Sequence, residues 1–302
     1  MNKFSVSIII PNWNGQELLE KNLPLILEAK KNKANNIKEI IIIDDKSSDD
    51  SVKFILKNYS REVRVIKHTK NRGFSASVNT AARMAKYDLL CLLNSDVAPE
   101  KDFLEKLIDN FNNEKVFAVS LHEKGFGPAL GKFTDGFIVH EPVAEKNNSE
   151  ETFWVSGGSG VFRRSYWMDL GGLDEKLFSP FYWEDVDISY RGLKRGYKLL
   201  WESKSLVFHE HEVTVNKSRF SKRSRQVIQE RNQLLFVWKN LTSKPLFKKH
   251  LKGLLNRIRS HPGYIKVVIA ALLKINTIKV ERKKEIKESV VSDEAIFSMF
   301  NR

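Results

Sequence analysis

The sequence predicts an α/β fold built on a mostly parallel sheet, and three observations support this assignment. Residues 5–10 and 39–43 are β-branched runs without polar alternation, which is typical of strands buried on both faces. Segments with helical spacing of leucines, such as residues 16–31, separate these runs. The chain has 302 residues, of which 41% are hydrophobic, so it can bury a sizeable core. We therefore expect one large domain with an appendage.

The predicted elements follow one another as alternating strands and helices. We predict strands at residues 5–10, 39–43, 63–66 and 89–93. We predict helices at residues 16–31, 47–58 and 75–86. The second helix is expected to begin at a Ser-Ser-Asp-Asp run, because these side chains cap helices. A later helix is expected to begin near Asp185 and to end at Gly196.

Charge divides the chain into two parts. Residues 1–212 hold 30 Lys and Arg against 31 Asp and Glu, whereas residues 213–302 hold 21 against 6. We therefore predict a globular domain over residues 1–212 and a basic helical C-terminal appendage over residues 213–302. Helices are predicted in the appendage at residues 225–241, 246–259 and 265–275. The last of these is too short and too charged to span a bilayer, which needs about 20 apolar residues.

The basic appendage has three interpretations. A basic helical surface with an apolar stripe fits the cytoplasmic face of an anionic membrane. A helical cap that packs on the first domain fits the same pattern. We do not expect the third, nucleic-acid binding, because the appendage has no nucleic-acid motif and few aromatic residues. The oligomeric state stays open.

The single cysteine, Cys91, lies in an apolar, strand-like run and has no intramolecular partner. This favours a reducing compartment and a buried structural thiol rather than a nucleophile. The first residues run into a strand without a basic region and a cleavage site. We therefore expect a cytoplasmic protein, which the basic appendage would hold at the inner face of the cell membrane.

Polar residues follow each of the four predicted strands. They are residues 11–14, Asp44 with Asp45, residues 71–73 and residues 94–96. Each set alone fits an ordinary turn. However, the carboxyl ends of parallel strands lie at one edge of a sheet, where α/β folds bind their ligands. The four sets together predict a ligand crevice at that edge.

A run of aromatic residues followed by acids marks a second candidate region. Glu184, Asp185 and Asp187 fall in the first turn of the predicted helix, where the helix dipole favours carboxylates. His209 comes 24 residues after Asp185, at the end of another apolar run. Together with Asp96 at a strand end, these acids and the imidazole predict a metal-assisted transfer site.

Seven motifs, in this order, resemble those of family 2 glycosyltransferases with the GT-A fold, and in particular the rhamnosyltransferase-like subgroup. They read IIIPNWN, IDDKSSD, NRGFSASVN, LNSD, GGSG, GGLDE and WEDVD. The resemblance extends from about residue 6 to about residue 212. It implies a GT-A mixed sheet flanked by helices and an activity on nucleotide-diphosphate sugars.

By this resemblance, the residues after the strands bind the nucleotide-sugar donor. Asp44 would accept a hydrogen bond from a uracil or thymine base, and Asn79 would brace the pocket from the following helix. The other donor-binding residues that the resemblance implies are Pro11, Asn14, Asn71, Arg72, Gly73, Asn94 and Ser95.

The resemblance also implies a divalent cation, Mn²⁺ or Mg²⁺, at Asp96 and His209. The cation would stabilise the charge that forms on the leaving diphosphate. Family members often carry Asp-x-Asp where this chain has Asn94-Ser95-Asp96, so the cation loses one anionic partner here. His209 could instead be a core histidine at a strand end.

On the acceptor side, we predict that Asp185 is the general base that removes the proton of the attacking hydroxyl group, with inversion at the anomeric carbon. Glu184 would help to orient the acceptor. Asp187 is expected to cap or steady the helix.

Four further residues are predicted to bind the acceptor sugar. Trp154 and Trp183 would stack on its apolar face, next to the turn formed by Gly157 and Gly158. Aromatic side chains are more often part of the core, so this alternative stays open for both tryptophans.

These residues predict an enzyme that transfers a single hexosyl or deoxyhexosyl group from a UDP- or dTDP-sugar to a glycan or lipid-linked acceptor in cell-surface polysaccharide synthesis. The alternative is a non-catalytic nucleotide-sugar or glycan-binding protein that kept the fold. This alternative is motivated by Asn94, which stands where family members often carry an aspartate. We do not expect a processive synthase that threads its own product, because the sequence has no membrane spans.

Overall fold

The computed structural model describes residues 4–210 and 220–300. Its strands are β1 (Val6–Asn12), β2 (Ile37–Asp44), β3 (Arg64–Lys67), β4 (Leu89–Leu93), β5 (Val97–Pro99), β6 (Val116–Glu123), β7 (Ala129–Thr134), β8 (Phe137–Pro142), β9 (Glu150–Glu151), β10 (Ser159–Arg163) and β11 (Lys198–His209). Its α-helices are α1 (Gln16–Lys31), α2 (Ser51–Tyr59), α3 (Phe74–Met84), α4 (Arg164–Asp169), α5 (Glu184–Lys194), α6 (Lys222–Asn240), α7 (Lys244–Ser260), α8 (Ile265–Leu272), α9 (Ile275–Glu288) and α10 (Asp293–Phe300).

Nine strands form one mixed sheet in the order β3-β2-β1-β4-β10-β6-β11-β5, with β9 beside β11. The first four strands of this order are parallel, and β10 runs antiparallel between β4 and β6. Strands β7 and β8 form a separate hairpin. The predicted α/β fold with a mixed sheet and flanking helices is therefore confirmed.

The β-branched runs are buried because both faces of the sheet are covered. Ile9 packs into one hydrophobic cluster, whereas its neighbours Ile8 and Ile10 pack into a second cluster. This alternation follows from the period of two along a strand. Cys91 is buried in the second cluster, and burial raises the pKa of its thiol, which fits a structural rather than a reactive cysteine.

Helix α2 begins later than predicted, at Ser51 instead of residue 47. Ser47 Oγ accepts a hydrogen bond from Asn14 N at 2.9 Å, and Asp49 Oδ2 accepts one from Gln16 N at 3.0 Å. Ser47 thus binds the backbone after β1, and Asp49 bridges that backbone and the start of α2, since its Oδ1 accepts a hydrogen bond from Ser51 N at 3.2 Å. The loop after β2 therefore extends to residue 50.

The C-terminal helices pack on the sheet domain and share its core. Leu234, Leu235 and Phe236 of α6 are fully buried in the same cluster as Ile9 and Phe162. The predicted boundary between residues 212 and 213 falls within residues 211–219, which lie outside the described residues. No helix in the described ranges is long and apolar enough to cross a membrane.

The predicted helices of the appendage are present with shifted ends, and two further helices follow them. The helix predicted over residues 265–275 stops at Leu272, and α9 begins at Ile275. Helix α9 is rich in charged residues, and α10 is only eight residues long, so neither produces a clear apolar periodicity in the sequence.

A buried carboxylate ties the acidic helix α5 to α6. Asp187 accepts hydrogen bonds from Arg191 Nε at 2.8 Å, Lys239 Nζ at 2.9 Å and Asn240 Nδ2 at 2.8 Å. Burial alone would raise the pKa of Asp187, but Arg191 and Lys239 outweigh it and hold this pKa below its ordinary value. Asp187 thus joins two helices and does not face a ligand crevice.

Candidate active site

The carboxyl ends of β1 and β2 form a rigid, hydrogen-bonded surface around Asp44. The Asp44 carboxylate is buried and accepts hydrogen bonds from Asn12 Nδ2 at 2.9 Å and Ser47 N at 3.1 Å. Asn14 adopts a left-handed conformation (φ 51°), and its Oδ1 accepts a hydrogen bond from Ser48 N at 2.7 Å. The sequence predicted both Asp44 and Asn14 at this edge, where the structure places them.

Asp45, which the sequence placed at the same edge without a role of its own, holds the neighbouring loop. Its carboxylate accepts hydrogen bonds from Arg72 N at 2.9 Å, Gly73 N at 2.7 Å and His68 Nδ1 at 2.7 Å. Asn71 Nδ2 donates to the Asp45 carbonyl oxygen at 3.2 Å. The buried Asp45 carboxylate therefore fixes the loop 71–73 by accepting hydrogen bonds from its backbone amides.

Arg72 and Asn79 connect this loop to residues 173–175. Arg72 Nη2 lies 3.1 Å from Glu175 Oε2. Asn79 Nδ2 donates to the Leu173 carbonyl oxygen at 2.8 Å, and Asn79 Oδ1 accepts from Leu173 N at 2.9 Å. Asn79 thus fixes the GGLDE motif against α3, consistent with a bracing position behind the loop.

The end of β4 meets the start of β10. Asn94 N donates to the Gly158 carbonyl oxygen at 2.9 Å, and Asn22 Nδ2 donates to the Ser95 carbonyl oxygen at 2.8 Å. A side chain on Gly158 would place its Cβ 2.6 Å from Asn94 Nδ2 and 3.4 Å from His209 Cε1. A larger residue at position 158 would therefore displace the Asn94 amide, which lies close to the backbone.

Strand pairing brings His209 next to Asp96 and Glu123. His209 pairs with Val97 across β11 and β5, so Asp96 lies one residue away. The distance between His209 Nε2 and Asp96 Oδ1 is 3.2 Å, and that between His209 Nδ1 and Glu123 Oε1 is 3.1 Å. Burial would lower the pKa of His209, but the two carboxylates raise it to about 9.

Glu123 was missed by the sequence analysis. It ends β6, and Val207 of β11 is its partner in the parallel register, which places Glu123 two residues from His209 on the same face of the sheet. Ser159 Oγ also donates a hydrogen bond to Glu123 Oε1. The one available signal was an acid that closes an apolar run, as Asp44 and Asp96 do.

Asp96 and His209 fit two ligands of one divalent cation. Asp96 Oδ1 is buried, and no atom of the described residues is placed to form a hydrogen bond of good geometry with it. Asp96 Oδ1 and His209 Nε2 lie 3.2 Å apart, so both atoms would be able to hold one divalent cation. Glu123 occupies the other ring nitrogen, as carboxylates commonly do behind a metal-binding histidine.

The protein itself offers few ligands at this position. In the described ranges no cluster of three or more His, Cys, Asp or Glu side chains is arranged to hold a cation. Asp96 and His209 would therefore supply two ligands, and a bound diphosphate and water would have to supply the others.

Asp185, at the start of α5, hydrogen-bonds to the turn that contains Gly157. Asp185 Oδ2 accepts a hydrogen bond from Gly157 N at 3.1 Å, and Asp185 Oδ1 accepts one from Val186 N at 2.8 Å. Burial raises the pKa of Asp185, and the charge of Glu123 raises it further, against the lowering effect of these amide bonds. Burial, together with the charge of Asp185, also raises the pKa of Glu184 well above its ordinary value.

The Gly157–Gly158 turn lies between the two groups of functional side chains. A Cβ on Gly157 would lie 3.3 Å from Asp185 Cβ, whereas a Cβ on Gly158 would approach Asn94 and His209. The predicted base and the predicted cation ligands therefore flank one short turn. The fold thus brings together four residues that are distant in sequence: Asp96, Gly157, Asp185 and His209.

The predicted acceptor tryptophans differ in their surroundings. Trp183 is almost completely buried, packs on Phe236 with ring centroids 5.1 Å apart, and lies 5.3 Å from the ring of His140. Trp154 is half-buried and also contacts His140, at 5.2 Å. Burial lowers the pKa of His140 to about 4. His140, from the hairpin β7–β8, was not identified from the sequence.

The loop before α5 is held by a buried asparagine of α6. Asn232 Nδ2 donates to the carbonyl oxygens of Phe178 at 3.0 Å, Phe181 at 2.9 Å and Tyr182 at 2.9 Å. Tyr182 and Trp183 both have a φ of 76°, a left-handed conformation that is unfavourable for bulky residues. Asn232 thus stabilises the strained backbone from which Glu184 and Asp185 project.

Comparison with known proteins places this arrangement in a family. The sequence profile of glycosyl transferase family 2 matches residues 7–170, more than half of the chain. The pre-mycofactocin glycosyltransferase of Mycobacterium tuberculosis is 31% identical over 189 residues, which cover 58% of this chain and 38% of that protein. The poly-β-1,6-N-acetyl-D-glucosamine synthase of Staphylococcus aureus is 26% identical over 206 residues, which cover 65% and 48%. The chain thus spans less than half the length of these relatives.

Solved structures share the fold at low sequence identity. GalNAc-T7 with UDP, GalNAc and Mn²⁺ superposes with a TM-score of 0.64 at 17% identity, over 85% of this chain and 58% of the other. The mannosyltransferase PcManGT from Pyrobaculum calidifontis, with GDP-Man and Mn²⁺, gives 0.57 at 14% identity over 93% and 84%. Staphylococcus aureus TarS with UDP gives 0.55 at 16% identity over 85% and 72%. The sheet, the order of the motifs and the family profile agree: this chain belongs to glycosyl transferase family 2.

Proposed function

We propose that this protein is an inverting, metal-dependent glycosyltransferase that moves a single sugar from a UDP- or dTDP-sugar to a glycan or lipid-linked acceptor. One observation carries the proposal: the Asp96–His209 pair and the Asp185 carboxylate flank the same Gly157–Gly158 turn at the ligand edge of the sheet. A leaving diphosphate and an attacking hydroxyl need these two kinds of group on opposite sides of one sugar.

The donor nucleotide would bind at the ends of β1 and β2. Asp44 is held as a hydrogen-bond acceptor by Asn12 and Ser47, so it can accept the N3–H of uracil or thymine. Pro11 and Asn14 would line this pocket, and the loop 71–73 would surround the ribose and diphosphate. GalNAc-T7 and TarS were solved with UDP and PcManGT with GDP-Man, so the proposal of a pyrimidine base rests on Asp44.

Asp96 and His209 would hold Mn²⁺ or Mg²⁺, and the imidazole ligand favours Mn²⁺. When bound, the cation stabilises the negative charge that develops on the leaving diphosphate. Glu123 fixes the orientation of the His209 ring through Nδ1, so that Nε2 points toward Asp96. Asn94 and Ser95 would contact the diphosphate beside this pair.

Asp185 would take the proton from the acceptor hydroxyl as it attacks the anomeric carbon from the face opposite to the diphosphate. Two backbone amides orient its carboxylate, and its raised pKa makes it a stronger base. Glu184, whose raised pKa favours the protonated form, would donate a hydrogen bond that orients the acceptor. Trp154, Trp183 and the Gly157–Gly158 turn would form the acceptor side of the site.

The transferred group would be a hexosyl or deoxyhexosyl unit, as in rhamnosyltransferase-like enzymes, and the pathway would be cell-surface polysaccharide synthesis. The similarity to a poly-β-1,6-N-acetyl-D-glucosamine synthase supports such a pathway. The basic C-terminal helices would keep the protein at the inner face of the cell membrane, where lipid-linked acceptors are available.

A donor screen tests the proposal. Purified protein is incubated with a panel of UDP-, dTDP- and GDP-sugars, with MnCl₂, with MgCl₂ or with EDTA, and release of the nucleotide is measured. We expect one or a few UDP- or dTDP-sugars to turn over, and EDTA to abolish that turnover. UDP binding without turnover of any sugar would instead support the non-catalytic alternative that Asn94 suggests.

A further inference from the structure

Helices α7 and α8 expose large apolar side chains on their outer faces. On α7, Leu251 is 51% exposed and Leu255 is 47% exposed; on α8, Ile269 is 53% exposed and Leu273, just after its end, is 82% exposed. Leu251 and Leu255 are four residues apart, as are Ile269 and Leu273, so each pair lies on one face of its helix. Exposed apolar side chains grouped on one helix face mark a candidate contact surface.

The opposite faces of both helices are fixed to the protein. His250 and Leu254 of α7 are buried, and His250 Nδ1 donates to the Gly136 carbonyl oxygen at 2.7 Å. Val267 and Ala271 of α8 are buried in the main hydrophobic cluster. The exposed leucines and isoleucine are therefore not the result of a helix that packs poorly; they belong to a second face of well-packed helices.

Charge identifies what this surface would contact. Residues 244–272, which span α7 and α8, contain 7 Lys and Arg and no Asp or Glu. Lys248 and Lys252 lie beside Leu251 and Leu255 on α7, and Lys266 lies on α8; all three are exposed, and among the described residues none of them forms an ion pair. The outer surface of these two helices is thus both apolar and positively charged.

We propose that the outer faces of α7 and α8 form a docking surface for an anionic lipid bilayer, with Leu251, Leu255, Ile269 and Leu273 inserted at the headgroup boundary. Helices that are apolar on one side and basic around it lie in the plane of such a membrane. A second copy of this chain fits less well, because it would bring the same unpaired lysines together. Each lysine near an anionic surface strengthens binding about fivefold.

The docking surface adjoins the acceptor side of the site. A cleft of about 1550 Å³ opens between the β7–β8 turn and helices α6 to α8. Lys252 and Lys266 line it, and so does Trp183, the residue that precedes Glu184 and Asp185. A lipid-linked acceptor held in the bilayer could reach the acids along this cleft; this last step rests on the proposed function, whereas the docking surface does not.

Co-sedimentation with vesicles tests the docking surface directly. The full-length protein is mixed with vesicles of phosphatidylglycerol and phosphatidylcholine, or of phosphatidylcholine alone, at low and high salt. We expect binding to the anionic vesicles at low salt, weaker binding at high salt and little binding to phosphatidylcholine. A wild-type protein that ignores anionic vesicles at low salt overturns the proposal.

Two variants and a matched control locate the surface. The double variant Leu255→Glu, Ile269→Glu should lower vesicle affinity at least about tenfold, because it places two carboxylates in the apolar face. Lys248→Gln with Lys252→Gln, which alters only exposed side chains, should lower it about tenfold or more by removing two cations. Leu56→Glu on α2 is the control, since Leu56 is 48% exposed, like Leu255, but distant in sequence and on another helix.

The outcomes separate this proposal from the proposed function. Binding of Leu255→Glu, Ile269→Glu equal to wild type, or an equal loss in Leu56→Glu, would contradict the assigned surface. A concentration-dependent dimer that these substitutions abolish, without vesicle binding by the wild type, would show a contact between copies instead. Binding of UDP and Mn²⁺, measured in the same variants by calorimetry, should stay at the wild-type value; if it is lacking in every protein, only the proposed function fails.

Discussion

The two halves of the candidate site are built in different ways. On the donor side, Asp44, Asp45 and Asn14 lie at the ends of β1 and β2, and they hydrogen-bond to loops within residues 47–73. On the acceptor side, Asp185 depends on Gly157 and on a loop that Asn232 holds from a helix some 50 residues away in sequence. The donor side is therefore assembled within residues 12–73, whereas the acceptor side requires the C-terminal helices.

This difference suggests that the two halves can fail separately. A substitution on the acceptor side should leave the nucleotide loops intact, because no hydrogen bond of Asp44 or Asp45 involves the C-terminal helices. Binding of UDP would then persist while transfer is lost.

Asp185→Asn should lower turnover by at least about 10²-fold, because the amide cannot accept the proton of the acceptor hydroxyl. Binding of UDP in the presence of Mn²⁺, measured by calorimetry, should stay within about twofold of wild type. Turnover in the variant equal to that of the wild type would remove Asp185 from the mechanism. Loss of UDP binding would show that the two halves are not independent.

Glu123→Gln should weaken the apparent affinity for Mn²⁺ by about 10- to 100-fold, because it removes the carboxylate behind His209. Mn²⁺ titrations of turnover give this value. Glu145→Gln is a matched control, since Glu145 also bonds a histidine ring, at 2.8 Å from His122 Nε2, but outside the site. Equal effects of the two substitutions would mean that Glu123 has only a structural role.

Asn232→Ala should lower turnover about tenfold or more, because the backbone before Glu184 and Asp185 loses its three hydrogen bonds and a small displacement of catalytic groups is costly. The apparent KM for the donor should change little. Asn35→Ala is the control: Asn35 is equally buried and its Nδ2 also bonds two carbonyl oxygens, of Ala29 and Lys101, far from the site in sequence.

These two variants are compared only after thermal melts show that both are folded. Arg231→Gln offers a milder test, because Arg231 is half-buried and donates from Nη2 to the Ser179 carbonyl oxygen at 2.7 Å. A normal turnover in Asn232→Ala and Arg231→Gln, or an equal loss in Asn35→Ala, would contradict a positioning role of α6.

The smallest effect concerns stability. The pKa of Glu184 is raised well above its ordinary value, so the folded state binds a proton that the unfolded state releases. The stability that this bound proton contributes is fully present below the ordinary glutamate pKa. It is lost as the pH rises from that value through the raised pKa. Glu184→Gln should therefore raise Tm by on the order of a few °C at neutral pH.

The difference in Tm between Glu184→Gln and wild type should shrink as the pH is lowered toward the ordinary pKa of glutamate, since both side chains are then neutral. Thermal melts across this pH range give the comparison. A Tm difference that does not depend on pH would show that the titration of Glu184 is not the cause.

The sequence predicted the elements and residues with local signals. Strands β1 to β4, helix α1 and the polar residues at strand ends needed only periodicity and the geometry of parallel sheets. Glu123 could not be recognised, because its proximity to His209 depends on the register between β6 and β11. The role of Asn232 could not be predicted either, because its hydrogen-bond partners are backbone carbonyl oxygens, which leave no signature in the sequence.

The start of α2 illustrates the opposite error. The run Ser47 to Asp50 has the composition of a helix cap, but Ser47 and Asp49 bind the backbone after β1. A local propensity was thus overruled by a contact with residues some 33 positions earlier. Capping and loop-bridging side chains are the same residue types, so composition alone cannot separate them.

The most direct test of the account is a comparison of wild type with Asp96→Ala for metal-stimulated release of nucleotide from the donor that the screen identifies. We expect Mn²⁺ to stimulate the wild type, EDTA to abolish this stimulation, and Asp96→Ala to show none at any Mn²⁺ concentration. Wild-type turnover that is unchanged by EDTA, or Mn²⁺ stimulation that survives in Asp96→Ala, would contradict the assignment of Asp96 and His209 as the cation site.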